Sequence, residues 1–267
     1  MSAEDDALAE RGWAKFSADE ALSTWVEAAR PLAEEIALDP INRADWLRCG
    51  GTWFAGVNIF PNESDGSVPW RVPPLSGRAF ETALSELGLS RVDLDRAQIS
   101  ICYPGYPRPW EGESAANFRF RRDRDAAHLD GLTRDAARRR SLSEVHGFIL
   151  GLPLTDVPAR AAPLVVWEGS HEVIRRAFRA RFAEIAPADW AREDVTDFYA
   201  ETRRQIFAEC RRVVVHARPG EAYLVHRLAI HGVAPWGEDG GDKPRIVAYF
   251  RPDPFPGADP DWWLEMS

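Results

Sequence analysis

Between residues 98 and 250 the chain carries a succession of short apolar runs, and these limit most what it can fold into. Residues 98–103, 144–154, 162–167, 213–215, 222–226, 229–233 and 246–250 are rich in Val, Ile, Leu, Phe and Tyr. Runs this short, bounded by glycine and proline, suit buried strands better than packed helices. The breaks between them carry turn chemistry, Pro219-Gly220 and the glycine-rich 237–242 among them. Asn117-Phe118-Arg119-Phe120-Arg121 alternates polar and apolar and is expected to add a strand, with Asn117, Arg119 and Arg121 on one face. The pattern predicts a mainly β chain with flanking helices (α+β), built as a β-sandwich or double-sheet jelly roll. A doubly wound α/β fold needs strict strand–helix alternation and usually a glycine-rich phosphate turn. Neither is present.

The helical segments sit around that core. Ser17 with Glu20 reads as a capping box before Leu22, Trp25, Val26 and Ala29, and Pro31 is expected to kink or end the helix. A helix is expected over 76–88 with Phe80, Leu84 and Leu87 inward, and an exposed helical turn over 134–140. Ser170 is a suitable N-cap for a helix reaching Phe182, and 189–210 is amphipathic at helical spacing. No repeat or low-complexity linker divides the chain. The expectation is one domain over 1–267: a supporting region to about 95, a jelly-roll core over 96–252, and a helical insertion near 170–210.

Charge excludes some functions. The chain has 33 basic and 42 acidic residues, a net charge of −9, which disfavours nucleic acid and anionic membrane. No apolar run reaches the ~18 residues of a membrane helix. The start, Met1 to Asp6, is acidic and has no signal-peptide pattern, and three scattered cysteines suit a reducing compartment. A cytoplasmic protein is expected.

The chemistry lies in two stretches about a hundred residues apart. His128-Leu129-Asp130 places an imidazole and a carboxylate on one face of a strand, with Leu129 turned the other way. Alone, H-x-D is weak. His231 supplies a second imidazole, and two nitrogens with one carboxylate make a facial metal site that leaves positions open, the arrangement of non-haem Fe(II). Arg245, beyond a glycine-rich turn, offers the planar fork that suits a carboxylate. Fe(II), open positions and an arginine for a dicarboxylate together point to oxidation by O2 coupled to 2-oxoglutarate.

His128-Leu129-Asp130, His231 and Arg245 resemble the H-x-D…H…R pattern of the Fe(II)/2-oxoglutarate-dependent oxygenases. Residues 161–171, ending Glu168-Gly169-Ser170-His171, are similar to the "G-x-L-x-x-x-P-G-S-H" stretch of the phytanoyl-CoA dioxygenase-like branch. They depart at Ala162 and Glu168, where that branch has glycine and proline. Residues 219–231 are similar to the branch's strand before its distal histidine. The likeness runs from about Ile99 to Pro252. It implies a double-stranded β-helix, a metal triad of His128, Asp130 and His231, and a cosubstrate anchor at Arg245. Retention of Asp130 implies hydroxylation rather than halogenation, for which the carboxylate is replaced so that chloride can bind.

Other residues keep alternatives open. Arg251 shares the face of Arg245 by period two and is its rival. His226 would replace His231 if a bulge reversed its side; otherwise it is structural. His146 is placed near substrate inside the barrel, and Asn117, Arg119 and Trp167 are placed at the pocket. Solvated or core positions are the other reading for these residues. The arginines near 119–124 and 134–140 hint at an anionic small-molecule substrate. A second class remains: a cupin-like metal-binding isomerase or ligand module without 2-oxoglutarate turnover, which has no use for a positive charge at Arg245.

Overall fold

Strands from both ends of the chain meet in one antiparallel sheet. The computed structural model describes residues 3–265; Met1 and Ser2, the first residues of the acidic start, lie outside the described residues. In order, the elements are α1 (Ala3–Arg11), β1 (Trp13–Phe16), α2 (Glu20–Leu38), α3 (Pro40–Trp46), β2 (Leu47–Arg48), β3 (Trp53–Phe54), α4 (Arg78–Glu86) and β4 (Gln98–Cys102). Then come α5 (Ala115–Asp123), β5 (Leu132–Arg134), β6 (Arg140–Leu142), β7 (Phe148–Pro153), β8 (Leu164–Trp167), α6 (Ser170–Phe182) and α7 (Thr196–Glu209). The chain continues with β9 (Arg212–Val215), β10 (Ala222–His226), β11 (His231–Val233) and β12 (Arg245–Phe250). Short 3-10 segments lie at Pro187–Arg192 and Pro260–Leu264.

The large sheet runs β1-β10-β7-β12-β4-β3-β2, and a smaller one, β11-β8-β9, faces it. Alternation along the strands divides the side chains into two layers. Ile149, Tyr223, Val225 and Val247 turn inward and pack with Leu164, Val166 and Val215 of the small sheet. Ile99, Leu150, Leu224, Ala248 and Phe250 turn outward against Trp25, Val26 and Ala29 of α2. A third cluster joins Val165 and Trp167, on the outer side of the small sheet, to Ile174 and Phe178 of α6 and Tyr199 of α7. The result is a jelly roll with helices on its flanks, as the strand pattern predicts. The first ninety-five residues do more than support it, since β1, β2 and β3 extend the main sheet at both edges.

Several local expectations are corrected. Residues 117–121 belong to the helix α5, with Ser114 Oγ accepting from Asn117 N. Five residues of alternation cannot outweigh an N-cap and the packing of Phe120 against Phe207. Residues 134–140 form the end of a hairpin rather than a helical turn: β5 pairs with β6, and Arg138 takes φ 66° at the bend. Asp19, not Ser17, caps α2, accepting from Leu22 N at 2.8 Å. α2 continues through Pro31 to Leu38. One lost backbone bond is outweighed by a face that buries Trp25, Ala29, Leu32 and Ala33. In α4 the buried positions are Ala79, Thr82 and Ala83, with Phe80 and Leu87 only partly covered. Ser170 is the first residue of α6 rather than its cap; its Oγ accepts from Ile230 N, tying the helix start to the segment before β11.

Candidate metal centre

His231 opens β11, and His128 meets it in an isolated antiparallel bridge. His128 N donates to His231 O at 2.9 Å, and His231 N donates to His128 O at 3.1 Å. The H-x-D segment is therefore one bridge on an irregular stretch rather than part of a continuous strand. The approach to it is set by the backbone: Asp125 and Ala126 take φ 55° and 52°, a left-handed conformation costly for non-glycine residues. Arg212 holds Asp125 through two hydrogen bonds of 2.7 Å. Gly232 lets the two segments close up, since a Cβ there would lie 2.2 Å from Asp125 O. The helical insertion completes the support. Leu129 N donates to Tyr199 Oη at 2.8 Å, and Arg203 donates to Ala127 O at 3.2 Å.

On this frame three ligand-type atoms converge. Asp130 Oδ1 is 3.1 Å from His128 Nε2, Asp130 Oδ2 is 3.8 Å from His231 Nε2, and one ligand atom from each residue lies within 4.8 Å of the others. Both rings place Nδ1 3.0 Å from the carbonyl two residues earlier, Ala126 O and Ala229 O. A carbonyl accepts, so each Nδ1 carries the proton and each Nε2 presents a lone pair. Burial pushes the His231 imidazole down to about 4, with Asp130 pulling the other way and His128 adding to the fall. Burial alone would raise the Asp130 carboxyl; His231, the His128 hydrogen bond and the Arg251 charge outweigh it and hold it well below the usual range. Three acceptors this close repel unless a cation sits among them, and two imidazoles with a carboxylate suit a divalent transition metal. His128 is half-exposed, whereas Asp130 and His231 are 8% and 10% exposed, so the open side lies past His128.

The centre opens on a cavity of about 260 Å³ between the two sheets, lined also by Trp53, Gln98, Ser100, Ile149, Tyr249 and Arg251. The polar lining was partly readable: in Gln98-Ile99-Ser100-Ile101-Cys102 the polar residues alternate with isoleucines that face the helices. Along β12 the inward positions are Arg245, Val247, Tyr249 and Arg251, by period two. Arg251 stands at the metal end, where Nη1 donates to Asp130 Oδ2 at 3.3 Å. Arg245 lies at the far end of the strand, opposite Cys102, buried and outside the cavity lining. Its Nη2 donates to Tyr223 Oη and Tyr249 Oη at 3.2 and 3.4 Å, and its Nη1 is buried without a partner. These tyrosines went unforeseen. Gly151, opposite Tyr223, makes their placement possible, since a Cβ there would sit 2.0 Å from the Tyr223 ring.

The other named residues are placed elsewhere. Asn117 and Arg119 are exposed on α5 and do not line the cavity. Trp167 is 3% exposed in the core behind the small sheet, its ring 5.2 Å from that of Phe207. His146 lies in an adjoining cavity, with Nδ1 donating to Arg251 O at 2.9 Å. His226 is buried against Arg175 and is not part of the triad. His216 Nε2 donates to Val157 O at 3.0 Å, away from the triad. A larger groove of about 470 Å³ runs between α2 and the turn before β12, away from the triad.

Comparison with known proteins identifies the architecture. No family profile matches the chain, and no curated protein is similar to it in sequence. Among solved structures, HygX from Streptomyces hygroscopicus, with nickel, 2-oxoglutarate and hygromycin B bound, is 14% identical with a TM-score of 0.50, over 97% of this chain and 90% of that one. AviO1 from Streptomyces viridochromogenes Tue57 is 14% identical over 97% of each chain, with a TM-score of 0.48. SnoK, a non-haem α-ketoglutarate-dependent carbocyclase from nogalamycin biosynthesis, is 17% identical over 100% of this chain and 91% of that one, with a TM-score of 0.45. At 14% identity the likeness to HygX is one of fold.

Proposed function

We propose that the chain is an Fe(II)- and 2-oxoglutarate-dependent dioxygenase that hydroxylates a small molecule. The observation that carries this is the convergence of two Nε2 lone pairs and the Asp130 carboxylate at the mouth of a cavity between the sheets. Bound there, Fe(II) with 2-oxoglutarate supplies the oxidation of a C–H bond by O2, with release of succinate and CO2. His128, Asp130 and His231 hold the metal on one side, and Asp130 keeps the carboxylate that hydroxylation calls for. Arg245 is the anchor for the far carboxylate of 2-oxoglutarate. Each arginine keeps one buried N–H without an acceptor, but Arg251 is already paired with a carboxylate, Asp130, whereas Arg245 has only the hydroxyls of Tyr223 and Tyr249. A desolvated guanidinium donor left unpaired is costly, and a carboxylate oxygen satisfies it. A placement in the phytanoyl-CoA dioxygenase-like branch rests on residues 161–171 and 219–231. The arginines over 119–124 and 134–140, on which the expectation of an anionic substrate rests, do not line the cavity. Among the described residues no helix is long and apolar enough to cross a membrane, and the cysteines are free, which suits the cytoplasm.

The test is addition of 2-oxoglutarate to Fe(II)-loaded protein without oxygen. A metal-to-ligand charge-transfer band and a rise in thermal midpoint are expected. Metal binding with no response to 2-oxoglutarate would instead place the chain with cupin-like metal modules. Arg245→Ala should abolish the band and leave the metal bound. Loss of the band in Arg251→Ala but not in Arg245→Ala would reverse the arginine assignment.

A further inference from the structure

The metal cavity has a neighbour. A second cavity of about 350 Å³ shares Val57 and Arg251 with it, so the two meet at the residue that touches Asp130. Its remaining charged lining is acidic: Asp95, Glu144 and Asp253. Building on the oxygenase reading, we propose that this outer cavity holds the basic end of the substrate, an ammonium or guanidinium group. The carbon to be oxidised then sits in the metal cavity.

Three carboxylates face one guanidinium here, and that guanidinium is spent on Asp130. The lining therefore carries excess negative charge and disfavours an anion. His146 adds an independent sign. Its Nδ1 donates to Arg251 O, so in the neutral ring Nε2 is an acceptor; it is buried, has no hydrogen-bond partner, and lies 3.4 Å from Glu144 Oε2. With His146 neutral, two acceptors are turned on one another, and an ammonium group placed against both satisfies them; with His146 protonated, the pair is an ion pair that the incoming cation replaces. Burial pushes the Asp95 carboxyl up, and the Arg251 backbone N–H, the Arg251 charge and His146 offset this only in part. Arg251 Nε is buried without an acceptor, a place for a hydroxyl or carbonyl oxygen of the same molecule.

Isothermal titration of the full chain tests this, alone and with Fe(II) and 2-oxoglutarate under nitrogen. The probes are agmatine, putrescine and spermidine, set against butane-1,4-diol and hexanoate at fixed ionic strength. Binding is expected from amines only. Glu144→Gln should weaken it about tenfold, the loss of one charge-assisted hydrogen bond, and Glu144→Lys should abolish it. Glu144 is 63% exposed, so both variants should keep the wild-type thermal midpoint. Amines that bind no better than the diol or hexanoate, or undiminished affinity in Glu144→Lys, would overturn the proposal. The charge-transfer band is read separately. Amine binding without the band removes the oxygenase reading and keeps the cation site; the band without amine binding removes the cation site alone.

Discussion

Two histidine pairs in this molecule have nearly the same geometry and opposite chemistry. The rings of His128 and His231 are 4.7 Å apart and tilted by 49°; those of His171 and His226 are 4.9 Å apart and tilted by 45°. In the first pair both Nδ1 atoms are tied to backbone carbonyls, and both Nε2 atoms face a carboxylate beside a cavity. In the second, His226 Nδ1 accepts from Leu228 N, and its Nε2 lies 3.0 Å from Arg175 Nη2. His171 Nε2 donates to Ala9 O, and the neighbouring Glu172 pairs with Arg175. Ring spacing therefore does not make a metal site. What matters is where the lone pairs point and whether an anion sits between them.

The largest effect that could break this contrast is on metal affinity. His231→Ala should weaken Fe(II) or Co(II) binding by more than about a hundredfold, since a ligand is lost outright. His226→Ala should leave the stoichiometry at one metal per chain. Calorimetric titration with metal decides it, and loss of metal in the His226 variant would show that the second pair had been misjudged.

The reverse holds for stability. His226→Ala should cost about 1–3 kcal/mol in urea unfolding, because Leu228 N loses the buried Nδ1 that accepts its hydrogen bond. A loss under about 0.5 kcal/mol would place it among surface substitutions.

Acid should act on both pairs with one sign. His231 is lowered from 6.5 to about 4, and burial also holds His226 well below its ordinary value, with Arg227, His171 and Arg175 adding to the fall. The unfolded chain therefore binds more protons across this window, and stability falls as pH drops from about 6.5 towards 4. For His231 alone the loss is about 3 kcal/mol, from 1.36 kcal/mol per unit. Excess Co(II) should raise stability and steepen its fall with acid in the wild-type chain, because protons compete with the metal for the folded-state ligands, and should do neither in His231→Ala. An equal slope in both would mean that the metal and the proton do not compete for His231.

Sequence alone separated the two pairs only in part. H-x-D at His128 with His231 was legible because ligand identity survives without coordinates, whereas the parity that sets His226 aside assumes one continuous strand, and the structure puts His226 on β10 of the large sheet and His231 on β11 of the small one. Period two also placed Arg245 and Arg251 on one face of β12. It could not show that Arg251 reaches Asp130 or that Tyr223 and Tyr249 bracket Arg245, since those contacts depend on how far apart the sheets stand. The α5 segment failed for a different reason: Phe118 and Phe120 mimic a strand over too short a window, and the cap at Ser114 lies outside it.

The smallest expected effect follows from that failure. On a strand, Asn117 and Arg119 would have faced the site; on α5 both are exposed. Asn117 takes part in the helix cap through its backbone N alone, so its side chain is dispensable, and alanine has the higher helix propensity. Asn117→Ala and Arg119→Ala should each change unfolding free energy by less than about 0.5 kcal/mol, and should leave metal affinity and the charge-transfer band unaltered. If Arg119→Ala instead weakens the response to 2-oxoglutarate while the metal stays bound, α5 must fold over the cavity during the reaction. The boundary between the reactive pair and its surroundings would then extend past His128, to the open side of the centre.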